Sequence, residues 1–121
     1  MSRIPYLIAG LVAALAIVTP TFAGMSATRL NGSVGPGFTI SLKKGTAKVT
    51  TLAPGSYTIT VKDKSKIHNF HLKGPGVNKQ ITSVAFVGTK TVTVTLKKGK
   101  YIYVCDPHAA VPGMKGTFTV K

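Results

Sequence analysis

Hydrophobic and polar residues alternate with a period of two along most of the chain beyond residue 37. In SYTITVKD (56–63), Tyr57, Ile59 and Val61 fall on one side and Thr58, Thr60 and Lys62 on the other, the pattern of a half-buried strand. TKTVTVTL (89–96) and KGTFTVK (115–121) repeat it, rich in the Thr and Val that β-structure prefers. FTISL (38–42), TAKVTTL (46–52), IHNFHL (67–72), ITSVAFV (81–87) and KYIYVC (100–105) are shorter candidate strands. NGSVGPG, Pro54-Gly55, Gly74-Pro75-Gly76 and lysine-bearing turns divide them, and no stretch carries the period of an amphipathic helix. Short strands at near-regular spacing predict an all-β sandwich or barrel. LAPGSYTITVKD and LKKGKYIYVCD echo each other: in both, a turn with Gly precedes a strand that opens on tyrosine. This predicts one hairpin solution used twice.

The N-terminus breaks the pattern. MSRIPYLIAGLVAALAIVTPTFA places Arg3 ahead of an unbroken apolar run from Tyr6 to Val18, then Thr-Pro and small residues up to Ala23. That is the anatomy of a secretory signal cleaved after Ala23, and the run is shorter than the roughly 20 residues that span a bilayer. Residues 1–23 are therefore expected to be a signal peptide and 24–121 one exported domain, with no integral membrane segment after cleavage. The location implied is periplasmic, extracellular or cell-surface.

The chain carries 16 Lys and Arg against two Asp and Glu, a net charge of +14. Such a field favours encounter with acidic partners or an anionic envelope surface. Export, and the lack of a recognition helix or a stacking motif, argue against nucleic acid. Scattered lysines also solubilise a β-rich surface and blunt its edge strands.

Export makes Cys105 conspicuous, because thiols normally pair in an oxidising compartment and this one has no partner in the chain. It lies in VCDPHAAVPGM (104–114). Cys-x-x-His sets His108 across a tight turn stiffened by Pro107, and a five-residue loop then returns Met114 at the start of the last strand. One loop thus offers thiolate, imidazole and thioether to a common point, and His68 is the candidate fourth group. Two histidines, a thiolate and a thioether form a soft nitrogen-and-sulfur set that suits copper, whereas zinc more often takes a third strong ligand. Asp106 follows the cysteine, and in an extended backbone its side chain points away from the metal. In IHNFHL the strand period puts His68, Phe70 and Leu72 on the core face and Ile67, Asn69 and His71 on the other. That period selects His68 over His71.

HNF at 68–70, with YVCDPHAAVPGMKGTFTV at 103–120, resembles the type 1 blue copper proteins, the cupredoxins, and most of all their plastocyanin branch. LKKGKY resembles the turn before the cysteine strand there. The resemblance implies a cupredoxin-like Greek-key β-sandwich of about seven to eight strands, binding one Cu(I)/Cu(II) ion through His68, Cys105, His108 and Met114. It also implies that Asn69 stitches the His68 segment to the cysteine loop, while Asp106, in the surroundings of the site, departs from the small hydroxyl residue common at that position in the family. The loop from His108 to Met114 is slightly longer than in typical plastocyanins. With only Asp63 and Asp106 available, their acidic patch cannot exist here.

The expected function is a soluble, exported, monomeric one-electron carrier, not an enzyme. Its expected partners are redox proteins with acidic surfaces, docking at an apolar patch around His108 extended by Pro36 and the Gly74-Pro75-Gly76 turn. The alternative is a copper-binding or copper-delivery protein without redox shuttling. Only three histidines exist, and two are committed, so no second copper cluster can be built.

Overall fold

The computed structural model describes residues 26–121, together with residues 10, 14 and 16. The expected signal peptide therefore falls almost wholly outside the described residues. Among the described residues, ten strands make two five-stranded sheets. One has the order β3-β2-β1-β5-β8, built from Ala47–Lys48, Ile40–Lys44, Thr28–Val34, Gly55–Asp63 and Gly88–Leu96. The other has the order β4-β10-β9-β6-β7, built from Thr51–Leu52, Lys115–Val120, Gly99–Val104, Phe70–Gly74 and Val77–Thr82. Pairing is antiparallel except for β1 with β5 and β10 with β4. Among the described residues the one helical segment is a 3-10 turn at Asp106–His108.

The period of two produces the core. Leu30, Val34, Leu42, Ile59 and Val61 of the first sheet meet Phe70, Leu72, Tyr101, Tyr103 and Phe118 of the second. Phe70 stacks on Tyr103 with ring centroids 5.6 Å apart, and Tyr101 on Phe118 at 5.2 Å. The echoed segments share one device. Tyr57 donates its hydroxyl hydrogen to the Ala53 carbonyl, and Tyr101 can donate to that of Lys97, each bond spanning four residues back over the glycine turn.

Four elements differ from the sequence expectation. β1 was not anticipated, because Asn31-Gly32-Ser33 reads as a turn. Gly32 sits at an inward position where a Cβ would lie 2.9 Å from Val61 and 3.0 Å from the Phe70 ring. TAKVTTL divides into β3 and β4, which belong to different sheets, with buried Val49 at the crossing. The strand expected at 81–87 is instead β7 at Val77–Thr82, followed by a loop that exposes Val84 and Val87. β6 begins at Phe70, so His68 and Asn69 precede it in a loop.

Candidate metal centre

Strand directions bring four loops, 35–39, 64–69, 83–87 and 105–114, to one end of the sandwich. The Gly74-Pro75-Gly76 turn lies at the other end, joining β6 to β7, so it cannot extend a patch around His108.

The ligand loop is a series of turns. The Cys105 N–H donates to the Met114 carbonyl at 3.0 Å, carrying the β9–β10 ladder one step past the strands. The His108 N–H then donates to the Cys105 carbonyl at 3.1 Å. Pro107, which has no N–H to offer, fits the first turn. The Val111 N–H to His108 carbonyl bond, 2.8 Å, and the Met114 N–H to Val111 carbonyl bond, 3.2 Å, close the loop. Gly113, at φ 88, lets the neighbouring loop approach: the Ile40 N–H bonds its carbonyl at 2.9 Å, and a Cβ there would lie 2.8 Å from the Phe38 carbonyl oxygen.

His68, Cys105 and His108 converge. The two Nδ1 atoms are 3.1 Å apart, and Cys105 Sγ lies 3.6 Å from Nδ1 of His68 and 3.5 Å from Nδ1 of His108. His68 and Cys105 are fully buried, and His108 is half-buried. Met114, also fully buried, stands beside Cys105 through the shared backbone bond. Nδ1 of a neutral imidazole can donate or accept but not both, so two imidazoles and a thiol cannot satisfy all three close contacts, and buried polar atoms left unpaired are costly. Nε2 of His68 is buried without a hydrogen-bond partner among the described residues, so the ring gains nothing from its other side. A soft cation at the convergence relieves the conflict, and the donor set fits copper.

Outside the cluster, Asn69 and Asp106 form a two-point clasp. The Asp106 N–H donates to Asn69 Oδ1 at 2.7 Å, and Asn69 Nδ2 donates to Asp106 Oδ2 at 2.9 Å and to Gln80 Oε1 at 3.3 Å. His71 Nδ1 lies 2.7 Å from the same carboxylate oxygen, its Nε2 meets Asn78 Oδ1, and Lys73 Nζ approaches Asp106 Oδ1 at 3.5 Å. Partial burial raises the Asp106 pKa. The hydrogen bonds from Asn69 and His71, with the charges of His71 and Lys73, outweigh burial and hold the carboxyl below its usual range. The carboxylate thus points away from the cluster and anchors the loop to β6 and β7.

Two participants were not singled out from sequence. Phe38, half-exposed, sets its ring edge-on to both imidazoles, with centroids 5.0 Å from His108 and 5.3 Å from His68. Its sequence signal was a lone aromatic after Gly-Pro-Gly, which reads as the start of a strand. His71, placed by the strand period on the face away from the core, ties Asp106 to the edge strand. That contact spans 35 residues and leaves no local mark.

The sequence profile of the copper-binding proteins of the plastocyanin/azurin family matches residues 37–121. No curated protein matches the chain. Among solved structures it is similar to reduced rusticyanin, at 27% identity over 79% of this chain and 81% of that one, with a TM-score of 0.54. A single-site rusticyanin mutant (24%, 79% and 80%, TM-score 0.56) and rusticyanin from Thiobacillus ferrooxidans (24%, 79% and 79%, TM-score 0.50) share the fold. The chain belongs to the plastocyanin/azurin family of copper-binding proteins, the cupredoxins, whose members carry electrons through a type 1 copper. These structures are rusticyanins, and they support the family and not its plastocyanin branch in particular.

Proposed function

We propose that this protein is an exported one-electron carrier whose copper is held by His68, Cys105, His108 and Met114. The observation that carries the reading is the convergence of two imidazole nitrogens and the only thiol at the loop end of a rigid sandwich. Copper supplies a one-electron Cu(I)/Cu(II) couple, and a ligand set that suits both oxidation states keeps rearrangement small. The chain's part is to hold that set still. The β9–β10 ladder fixes Cys105 against Met114, and the Asn69–Asp106 clasp fixes the loop against β6.

Half-buried His108 is the ligand nearest solvent. Phe38, Ala109, Ala110 and Pro112 leave apolar surface exposed in the loops around it. Small contacts of this kind suit transient redox encounters. Lys64, Lys66 and Lys115 rim this end and favour a partner with acidic residues around its own redox site.

The test adds Cu(II) to the purified protein and to Cys105→Ser. The wild type should develop an intense blue thiolate-to-copper band, and the variant should stay folded and pale. An intensely blue Cys105→Ser protein would sink the assignment. Rapid electron self-exchange without metal loss is expected of a carrier, and transfer of copper to a metal-free acceptor would favour delivery.

A further inference from the structure

We propose that the end of the sandwich opposite the metal cluster is a docking surface for an anionic lipid bilayer, which leaves the metal end facing the aqueous phase. This inference goes beyond the proposed function and does not rest on it.

Charge is uneven along the molecule: Lys62, Lys64, Lys66, Lys90 and Lys115 lie towards the metal end, and the larger basic cluster lies at the other. The β2–β3 hairpin carries Lys43, Lys44 and Lys48, the segment joining β8 to β9 carries Lys97 and Lys98, and Lys100 follows at the start of β9, all exposed. Arg29, near the start of β1, lies towards the same end. Both side-chain carboxylates lie at the other end, Asp63 closing β5 beside the metal loops and Asp106 within the ligand loop. The ion pairs among the described residues all involve Asp106, so no protein counter-ion neutralises this basic end.

Solubility alone would be served by mixed charge. Protection of edge strands would place the lysines on β3, β4, β7 and β8. Of the six hairpin and turn lysines, only Lys48 lies on an edge strand. Their placement is that of a contact surface.

The apolar residues divide the opposite way. Among the described residues, the exposed large hydrophobics are Phe38, Ile67, Val84 and Val87, all in loops of the metal end. The basic end presents no comparable side chain, so its contact is with headgroups, without insertion into the acyl region. Clustered lysines attract anionic headgroups strongly, and salt screens the attraction.

The chain outside the described fold points to the same occupant. It enters β1 from this end, and only residues 19–25 separate Ser26 from the apolar run Tyr6–Val18. Seven residues span at most about 25 Å. Before cleavage after Ala23, a bilayer that holds the run keeps the basic end within that reach of its surface. With nine-residue strands in β5 and β8, the metal end stands roughly 30 Å from the surface. That is several Debye lengths at physiological salt.

The test measures co-sedimentation of the full-length chain with phosphatidylcholine vesicles, with and without phosphatidylglycerol. Neutral vesicles report any binding through the apolar run alone. The variant Lys43→Gln/Lys44→Gln/Lys97→Gln/Lys98→Gln is compared with Lys62→Gln/Lys64→Gln/Lys66→Gln/Lys115→Gln, which removes equal charge from the metal end. The increment due to phosphatidylglycerol should fall by about fivefold for each lysine removed from the basic end. It should fall far less in the second variant and vanish at high salt. On the wild type, anionic vesicles should protect Lys43, Lys44, Lys97 and Lys98 from acetylation while Lys64 and Lys66 stay reactive.

Equal losses in the two variants would overturn the proposal in favour of a diffuse net charge. So would protection of Lys64 and Lys66 instead, or capture by a soluble polyanion or an acidic protein without any phosphatidylglycerol increment. None of these readings depends on copper, so a protein that never turns blue would sink the carrier assignment and leave this one standing.

Discussion

At the scale of single residues, two histidines three positions apart meet different surroundings. His68 is fully buried and aims Nδ1 at Cys105 and His108, while Nε2 finds no partner among the described residues. His71 lies on the outer face of the second sheet, with its ring nitrogens at Asp106 and Asn78. The first ring is poorly satisfied by the protein alone, and the second has oxygen at both nitrogens. Substitution should separate them. His68→Ala should abolish or strongly distort the blue band. His71→Ala should keep it and act on the loop through Asp106, seen as a modest shift in potential. Absorption spectra of the copper-loaded variants check this, and an unchanged band in His68→Ala would remove that residue from the ligand set.

At the scale of elements, glycine marks where the strands pack most closely. Gly116 faces Tyr103 across the β9–β10 ladder, and Gly74 on β6 lies beside Tyr101 of β9. A Cβ on either would run into the tyrosine ring, so each glycine gives an aromatic room to lie over the neighbouring strand. Gly116→Ala should destabilise the fold by about 1–3 kcal/mol, the usual cost of overpacking. A fall in the urea midpoint measures it, and an unchanged midpoint would mean that the Tyr103 ring moves aside freely. The same feature explains what the sequence hid. Where the inward positions carry large side chains, as in SYTITVKD, the period of two announces the strand. In TRLNGSV an inward position is Gly32, and the alternation disappears beneath a turn-like Asn-Gly-Ser. The ligand loop was legible because Cys105, His108 and Met114 lie within ten residues and their spacing encodes a turn. Phe38 and His71 join the site through contacts spanning 30 residues or more, which no local pattern records.

At the scale of the molecule, the core and the metal cluster are separable. Leu30, Ile59, Leu72, Tyr101 and Phe118 pack between the sheets without help from the ligands, and the ladders run the length of the sandwich. The proposed ligands come from two loops of one end, with Cys105 and Met114 also touching the core. A metal that binds only the folded state stabilises it by mass action, and local protection gathers where the ligands are. The metal-free protein should therefore keep its β-sheet circular dichroism. Amide hydrogens in 64–69 and 105–114 should exchange markedly faster than in the copper-loaded form. Those of the β2–β3 and β8–β9 turns should exchange alike in both. Hydrogen exchange read by mass spectrometry on the two forms decides the matter. Global unfolding on copper removal, or protection spread evenly to both ends, would show that the sandwich depends on its metal in a way these contacts do not provide for.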